Sequence, residues 1–258
     1  MLILNEEKYA EDLYNNKNTD VKSVMAKIRY ITRYLIHSKY ESDEDVYKEC
    51  VEWMRRHHDN FDESCYSNLI SDAIKGAHKY PFYNIENIKI TKSELDIISS
   101  LGDLRSEKVL FVLLCMAKQQ SVLNGFTNGL VKYSITDLCK MARISVPAED
   151  REYILYNIVQ HGFLGYPKKN NTQCLIVNFI NEDDDVVLNI DETDCQELAY
   201  VYLKWKNDGK GYTKCQRCNR LMRQSKNGIR KYCETCRVEA EAENKSIRNA
   251  KYYANHKN

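Results

Sequence analysis

The chain has 258 residues, 43% of them hydrophobic and 29% charged, with a formal net charge of +1 at pH 7. That length allows about two domains, and the composition is that of a globular protein. The most apolar run, residues 109–117, is far too short to span a bilayer, which excludes a transmembrane protein of the helical kind.

Met1-Leu2-Ile3-Leu4 gives way at once to Asn5, Glu6, Glu7 and Lys8, so no secretory signal is expected. Residues 5–80 read as helices. Val21, Val24, Met25, Ile28, Ile31, Leu35 and Ile36 recur at three- and four-residue steps, the period of one helix face. Ser42 with Asp45 resembles a capping box, and Val46, Cys50, Val51, Trp53 and Met54 supply the apolar face behind it. His57 and His58, with Asp59 and Asp62 nearby, read as a helix end rather than a metal site. A helix over 64–79 stops before Pro81. Ile85, Ile88 and Ile90 suggest a short strand, and Thr91-x-x-Glu94 a second cap. The helical N-terminal domain is placed at residues 1–102.

Residues 103–181 carry a more specific order. A strongly apolar helix, 105–120, precedes a segment punctuated by Gly and Asn, 124–133. Thr136 is expected to cap a short helix over 137–143, and a turn through Pro147 leads to a helix over 148–161, with Gly162 as its C′ residue. A hairpin follows, its polar turn at 168–171 and its apolar return at 174–180. Three helices and then a hairpin make the plan of a winged helix. The helix that would read DNA begins with Glu149, Asp150, Arg151 and Glu152, three carboxylates against one guanidinium, which argues against conventional major-groove reading. Lys168 and Lys169 at the wing tip remain candidate phosphate contacts. Residues 182–208 read as an acidic linker, Glu182 to Asp185, then a strand over 186–190 and an amphipathic helix over 194–206.

Residues 209–258 hold the strongest motif. Cys215 and Cys218 form one C-x2-C and Cys233 and Cys236 another, fourteen residues apart. Two residues between cysteines let both sulfurs turn toward one ion, and the gap leaves room for a short hairpin. One structural Zn²⁺ with four thiolate ligands is the expected cofactor, leaving no open position for catalysis. The other six cysteines are scattered, as buried groups of a reducing, cytoplasmic compartment would be.

Net charge is unevenly distributed. Residues 203–258 hold fifteen Lys/Arg against five Asp/Glu, or +10, and the rest of the chain is therefore −9. Four thiolates around Zn²⁺ lower the tail to about +8. A basic end on an acidic body is the footprint of a nucleic-acid partner, with Arg217, Arg220, Arg223, Lys226, Arg230 and Lys231 as the candidate contacts. Lys245, Arg248 and Lys251 repeat at three-residue steps on a helix that closes the module. Six histidines show no HExxH, and no GxSxG or phosphate-cradling loop is present, so no enzyme activity is expected.

Lys214-Cys-Gln-Arg-Cys and Lys231-Tyr-Cys-Glu-Thr-Cys, followed by a charged helix, resemble a small zinc motif of proteins from phages and integrated elements of Gram-positive bacteria. Residues 106–118 and 154–164 are similar to the same group. The resemblance implies a mainly α protein of a mobile element, with a helical N-terminal part, a winged-helix-like centre and a zinc ribbon. It carries no catalytic residues. Two functions follow as expectations. One is a nucleic-acid-binding accessory or regulatory protein of the element. The other is a non-enzymatic effector that binds a host or phage protein complex, for example to inhibit a host defence nuclease.

Overall fold

The computed structural model describes residues 2–15, 23–168, 174–225, 228 and 230–255. Most described residues are helical, and the chain divides into two compact units, residues 1–87 and 88–258.

Among the described residues the first unit is four helices: α1 (Glu6–Tyr14), α2 (Val24–Ser38), α3 (Asp43–His57) and α4 (Glu63–Lys79). Helix α2 packs on the other three. Its Ile28, Ile31 and Leu35 are fully buried among Val46, Cys50, Trp53, Met54, Ile70 and Ile74. That stripe is the one its periodicity predicts. Met25 departs from it and lies at the surface, and Val21 falls outside the described residues. Ser42 does precede α3, but its side chain makes no capping hydrogen bond. Asp62 caps α4 through Ser64 N at 3.0 Å.

The second unit is built around one helix. In order come β1 (Ile88–Thr91), α5 (Lys92–Ser99), α6 (Leu104–Asn124), β2 (Leu130–Lys132), α7 (Ile135–Met141), α8 (Ala148–Gln160), β3 (Leu164–Gly165), β4 (Cys174–Val177), β5 (Val186–Ile190) and α9 (Leu198–Lys206). Residues 109–115 of α6 are buried all round, so α6 is a core helix, wrapped by α5, α7, α8, α9, β1, β2 and β4. Asp103 caps it, accepting from Ser106 N at 2.9 Å and Ser106 Oγ at 2.7 Å.

Strands β2, β4 and β3 form an antiparallel sheet in that order, with Val131 opposite Leu175 and Leu164 opposite Val177. Strand β2 occupies the Gly/Asn-punctuated stretch, where no strand was expected. Gly129, at φ +63°, admits it: a Cβ there would stand 2.2 Å from the Val177 carbonyl oxygen. The residue ahead of α7 is Ser134, not Thr136, which lies inside the helix.

The acidic run is held by hydrogen bonds. β5 pairs antiparallel with β1, Ile190 opposite Ile88. Asp184 accepts from Ser93 N at 2.8 Å, and Lys92 N donates to the Asp185 carbonyl at 2.9 Å. The Thr91–Glu94 capping box is present. Glu94 is fully buried. It accepts from Thr91 N at 2.8 Å and Asn181 N at 3.0 Å, and pairs with Lys118 of α6 at 2.8 Å. On the other end of α6, buried Glu107 accepts from Tyr202 Oη at 2.9 Å and from Lys206, tying α9 down. Among the described residues, no helix is long and apolar enough to cross a membrane.

Candidate metal centre

The last part of the second unit is a hairpin, β6 (Tyr212–Lys214) with β7 (Leu221–Arg223), and a long helix, α10 (Glu234–Asn255). Cys215 and Cys218 lie at the turn of that hairpin. The hairpin therefore flanks the first cysteine pair, instead of filling the gap between pairs as expected. The gap itself holds β7 and a Ser225–Gly228 bridge. Cys215 N donates to Arg220 O at 2.9 Å, Asn219 N to Cys215 O at 3.0 Å, and Asn219 takes the left-handed conformation, φ +61°, that turns the chain back.

The second pair straddles the start of α10. Cys233 O accepts from Arg237 N at 2.8 Å, so Cys233 and Cys236 share one helical turn and one face. Gln216 N donates to Lys231 O at 2.9 Å, clipping the two knuckles together, and Cys233 N points at Cys215 Sγ, 3.3 Å away. Cys218 and Cys233 sulfurs are 3.6 Å apart, and all four lie within 4.8 Å of one another. Cys215, Cys233 and Cys236 are buried with Met222, while Cys218 is exposed. Among the described residues this is the one such cluster of ligating side chains. His57 and His58 are not part of one.

The four thiols are not equivalent. Burial pushes Cys215 up, but the N–H groups of Cys218, Cys233 and Arg217 outweigh it and lower the thiol to about 6. Burial, then the neighbouring thiols, raise Cys236, and burial raises Cys218. Backbone dipoles thus favour the thiolate form at Cys215, and a divalent cation would draw protons off the other sulfurs. The donor set, the spacing and the backbone clip fit a metal ion.

Comparison with family models, with curated proteins and with solved structures returned no match. The site must be read from its own geometry.

The expected nucleic-acid contacts separate into three kinds. Arg217 is spoken for: it meets Glu243 of α10 at 2.6 Å and Glu239 at 3.8 Å. Arg220 bonds Gln196 and stands 4.0 Å from buried Glu197. Arg223, Arg230 and Lys231 are exposed and form no ion pair among the described residues, though Arg230 lies within electrostatic reach of Glu234. Lys168 is exposed, whereas Lys169 and Lys226 lie outside the described residues. Helix α10 is divided in charge. Its first half carries Glu234, Glu239, Glu241 and Glu243, which engage Arg217 and Arg237, and its second half carries Lys245 and Arg248, both exposed. Acids at the N-terminal end also suit the helix dipole.

Sequence reasoning missed Arg143. It follows α7 at φ +49°, and its guanidinium reaches Glu197 at 2.5 Å and lies 4.4 Å over the Tyr200 ring. No spacing in the chain links 143 to 197. With Arg220, Arg223, Arg230 and Tyr232, these residues border a cleft of about 380 Å³ beside the cysteine cluster.

Proposed function

We propose that the four cysteines hold one structural Zn²⁺ and that the protein is a nucleic-acid-binding accessory or regulatory factor of a phage or mobile element, without enzymatic activity. Thiolates about 2.3 Å from a tetrahedral ion sit about 3.8 Å apart, which the 3.6 Å between Cys218 and Cys233 approaches. A four-sulfur sphere is filled, so the ion's role is to rigidify. The observation that carries the binding role is the set of three exposed cations, Arg223, Arg230 and Lys231, that form no ion pair among the described residues and are carried next to that cluster. Cations on a metal-clamped frame lose less entropy on meeting phosphate than cations on a loose tail. The strand order β2-β4-β3, with α6, α7 and α8, supports a winged-helix reading of the centre.

The test is a gel shift with the zinc-loaded full chain and with a version ending at residue 208, at 50 and 200 mM salt. Strong, salt-steep binding that disappears on truncation supports the proposal. Equal binding by both forms, or purified protein without stoichiometric zinc, sinks it.

One observation favours the second reading, an effector that docks on a protein complex such as a host defence nuclease. The outward face of α8 carries exposed Glu149, Asp150 and Glu152 with Tyr153 and Tyr156, which are 69% and 57% exposed. Such a face repels phosphate and offers aromatic anchors to a protein. If α8 does the work, Tyr153→Ala/Tyr156→Ala abolishes nuclease inhibition and leaves the gel shift unchanged.

A further inference from the structure

We infer that the cleft beside the cysteine cluster is a nucleotide subsite, in which Arg223 and Arg230 hold a phosphate and Tyr232 presents its ring to the base. The inference rests on the nucleic-acid reading above and adds where, and by which chemistry, a strand is gripped.

The cleft, about 380 Å³, lies between the start of α9, strand β7 and the residues leading into α10. That volume is within the range of small-molecule sites and suits one nucleotide. Four guanidiniums border it, from Arg143, Arg220, Arg223 and Arg230, against two carboxylates, Glu197 and Glu234. Both carboxylates are already engaged. Glu197 is buried and is shared by Arg143, at 2.5 Å, and Arg220, at 4.0 Å. Glu234 pairs with Arg237, one turn along α10. Among the described residues no ion pair ties down Arg223 or Arg230, although Glu234 also lies within electrostatic reach of Arg230, and a guanidinium fork matches phosphate oxygens two at a time.

Arg220 and Arg143 make a second rank. The Arg220 Nε is buried without a hydrogen-bond partner among the described residues. Arg143 occupies a left-handed position where glycine is the ordinary choice, so its side chain is kept at a conformational cost. Its guanidinium lies 4.4 Å over the Tyr200 ring and pairs with Glu197 at 2.5 Å, two contacts that fix its position at the rim of the cleft. Tyr232 has 36% of its surface open to solvent, next to Cys233 in the chain, so a ring held by the metal frame is offered to a base. Cations in line with an aromatic face are the grip used on single strands.

The experiment uses the full chain with verified zinc content, a fluorescein-labelled single-stranded 12-mer followed by anisotropy from 50 to 200 mM salt, and calorimetry with AMP and with inorganic phosphate. Arg223→Gln/Arg230→Gln is expected to flatten the log–log salt slope by about 1.4 and weaken binding at least tenfold. Tyr232→Ala is expected to lose about fivefold or more, and Tyr232→Phe to keep parental affinity. Lys245→Gln/Arg248→Gln on α10 removes equal charge away from the cleft. AMP binding lost in the arginine variant identifies the free nucleotide as a ligand of the same cleft; strand binding without AMP binding identifies the strand. If the parent binds the 12-mer and only the α10 variant weakens it, the subsite is refuted while the nucleic-acid reading stands. If the parent binds neither 12-mer nor AMP, both fall.

Discussion

Replacing Lys118 by Met removes one charge from the middle of the second unit and leaves its partner behind. Lys118 Nζ lies 2.8 Å from Glu94 Oε1 and 2.7 Å from the Lys89 carbonyl, and the two side chains are 6% and 0% exposed. In the variant, among the described residues, Glu94 keeps the Thr91 and Asn181 amides and has no cation. Orphaning one partner of a buried pair costs about 3–5 kcal/mol. For a unit of this size each kcal/mol moves Tm by about 2–4 °C, so a fall of about 6–20 °C is expected. Thermal melts give the shift. Hydrogen exchange on α6 peptides assigns it to this unit and not to the N-terminal helices. Pairing the change with Glu94→Gln removes the stranded charge and is expected to recover part of the loss. A Lys118→Met protein that melts within about 2 °C of the parent would refute the reasoning, since the carboxylate would then be hydrated or otherwise satisfied.

Cys218→Ser is expected to drop bound metal below one equivalent by elemental analysis and to strip exchange protection from β6, β7 and the first turn of α10, with α6 amides unaffected. Gly129→Ala forces a Cβ to 2.2 Å from the Val177 carbonyl at a left-handed φ, and urea unfolding is expected to show a loss of at least about 2 kcal/mol. Asp103→Ala removes the cap of α6, worth about 0.5–2 kcal/mol at neutral pH. Burial opposes ionisation of Asp103, but the Ser106 hydroxyl and amide and the Arg105 amide prevail and lower its pKa below the ordinary value. The cap's contribution is therefore complete above about pH 4 and is lost as pH falls through the lowered value. Parent and variant urea midpoints should differ at pH 6, and the gap should narrow as the pH falls below the ordinary carboxylate range. A constant gap would show that the charge is not what caps the helix.

Local signals in the chain proved readable. The Thr91–Glu94 box needs only residues within one turn, and Ile28, Ile31 and Leu35 fall on one face because 3.6 residues make a turn. The C-x2-C pairs carry their geometry in the spacing, and the sulfurs converge accordingly. Pairings over long separations were not readable. Nothing in 186–190 specifies that it will lie against 88–91, nor that the acids before it will bond the amides of α5, so the stretch has the composition of a linker. β2 is hidden by its glycine and asparagine neighbours, and it exists because Gly129 lets the chain pass under Val177. Charge alone overcounted the cations open to a ligand. Arg217 is claimed by Glu239 and Glu243, which look like solvent-facing acids until α10 is placed beside the first knuckle.

The β1–β5 ribbon also sets a timetable. Ile88 leaves the ribosome about a hundred residues ahead of Ile190, its partner. At typical rates of synthesis that is a wait of about 5–20 s. Throughout it Ile88 and Ile90, both buried in the finished protein, have no strand to lie against. The nascent chain must shelter that edge against α5 and α6 or with a chaperone, and slowing translation between the two strands should raise the aggregated fraction without changing the stability of the completed molecule.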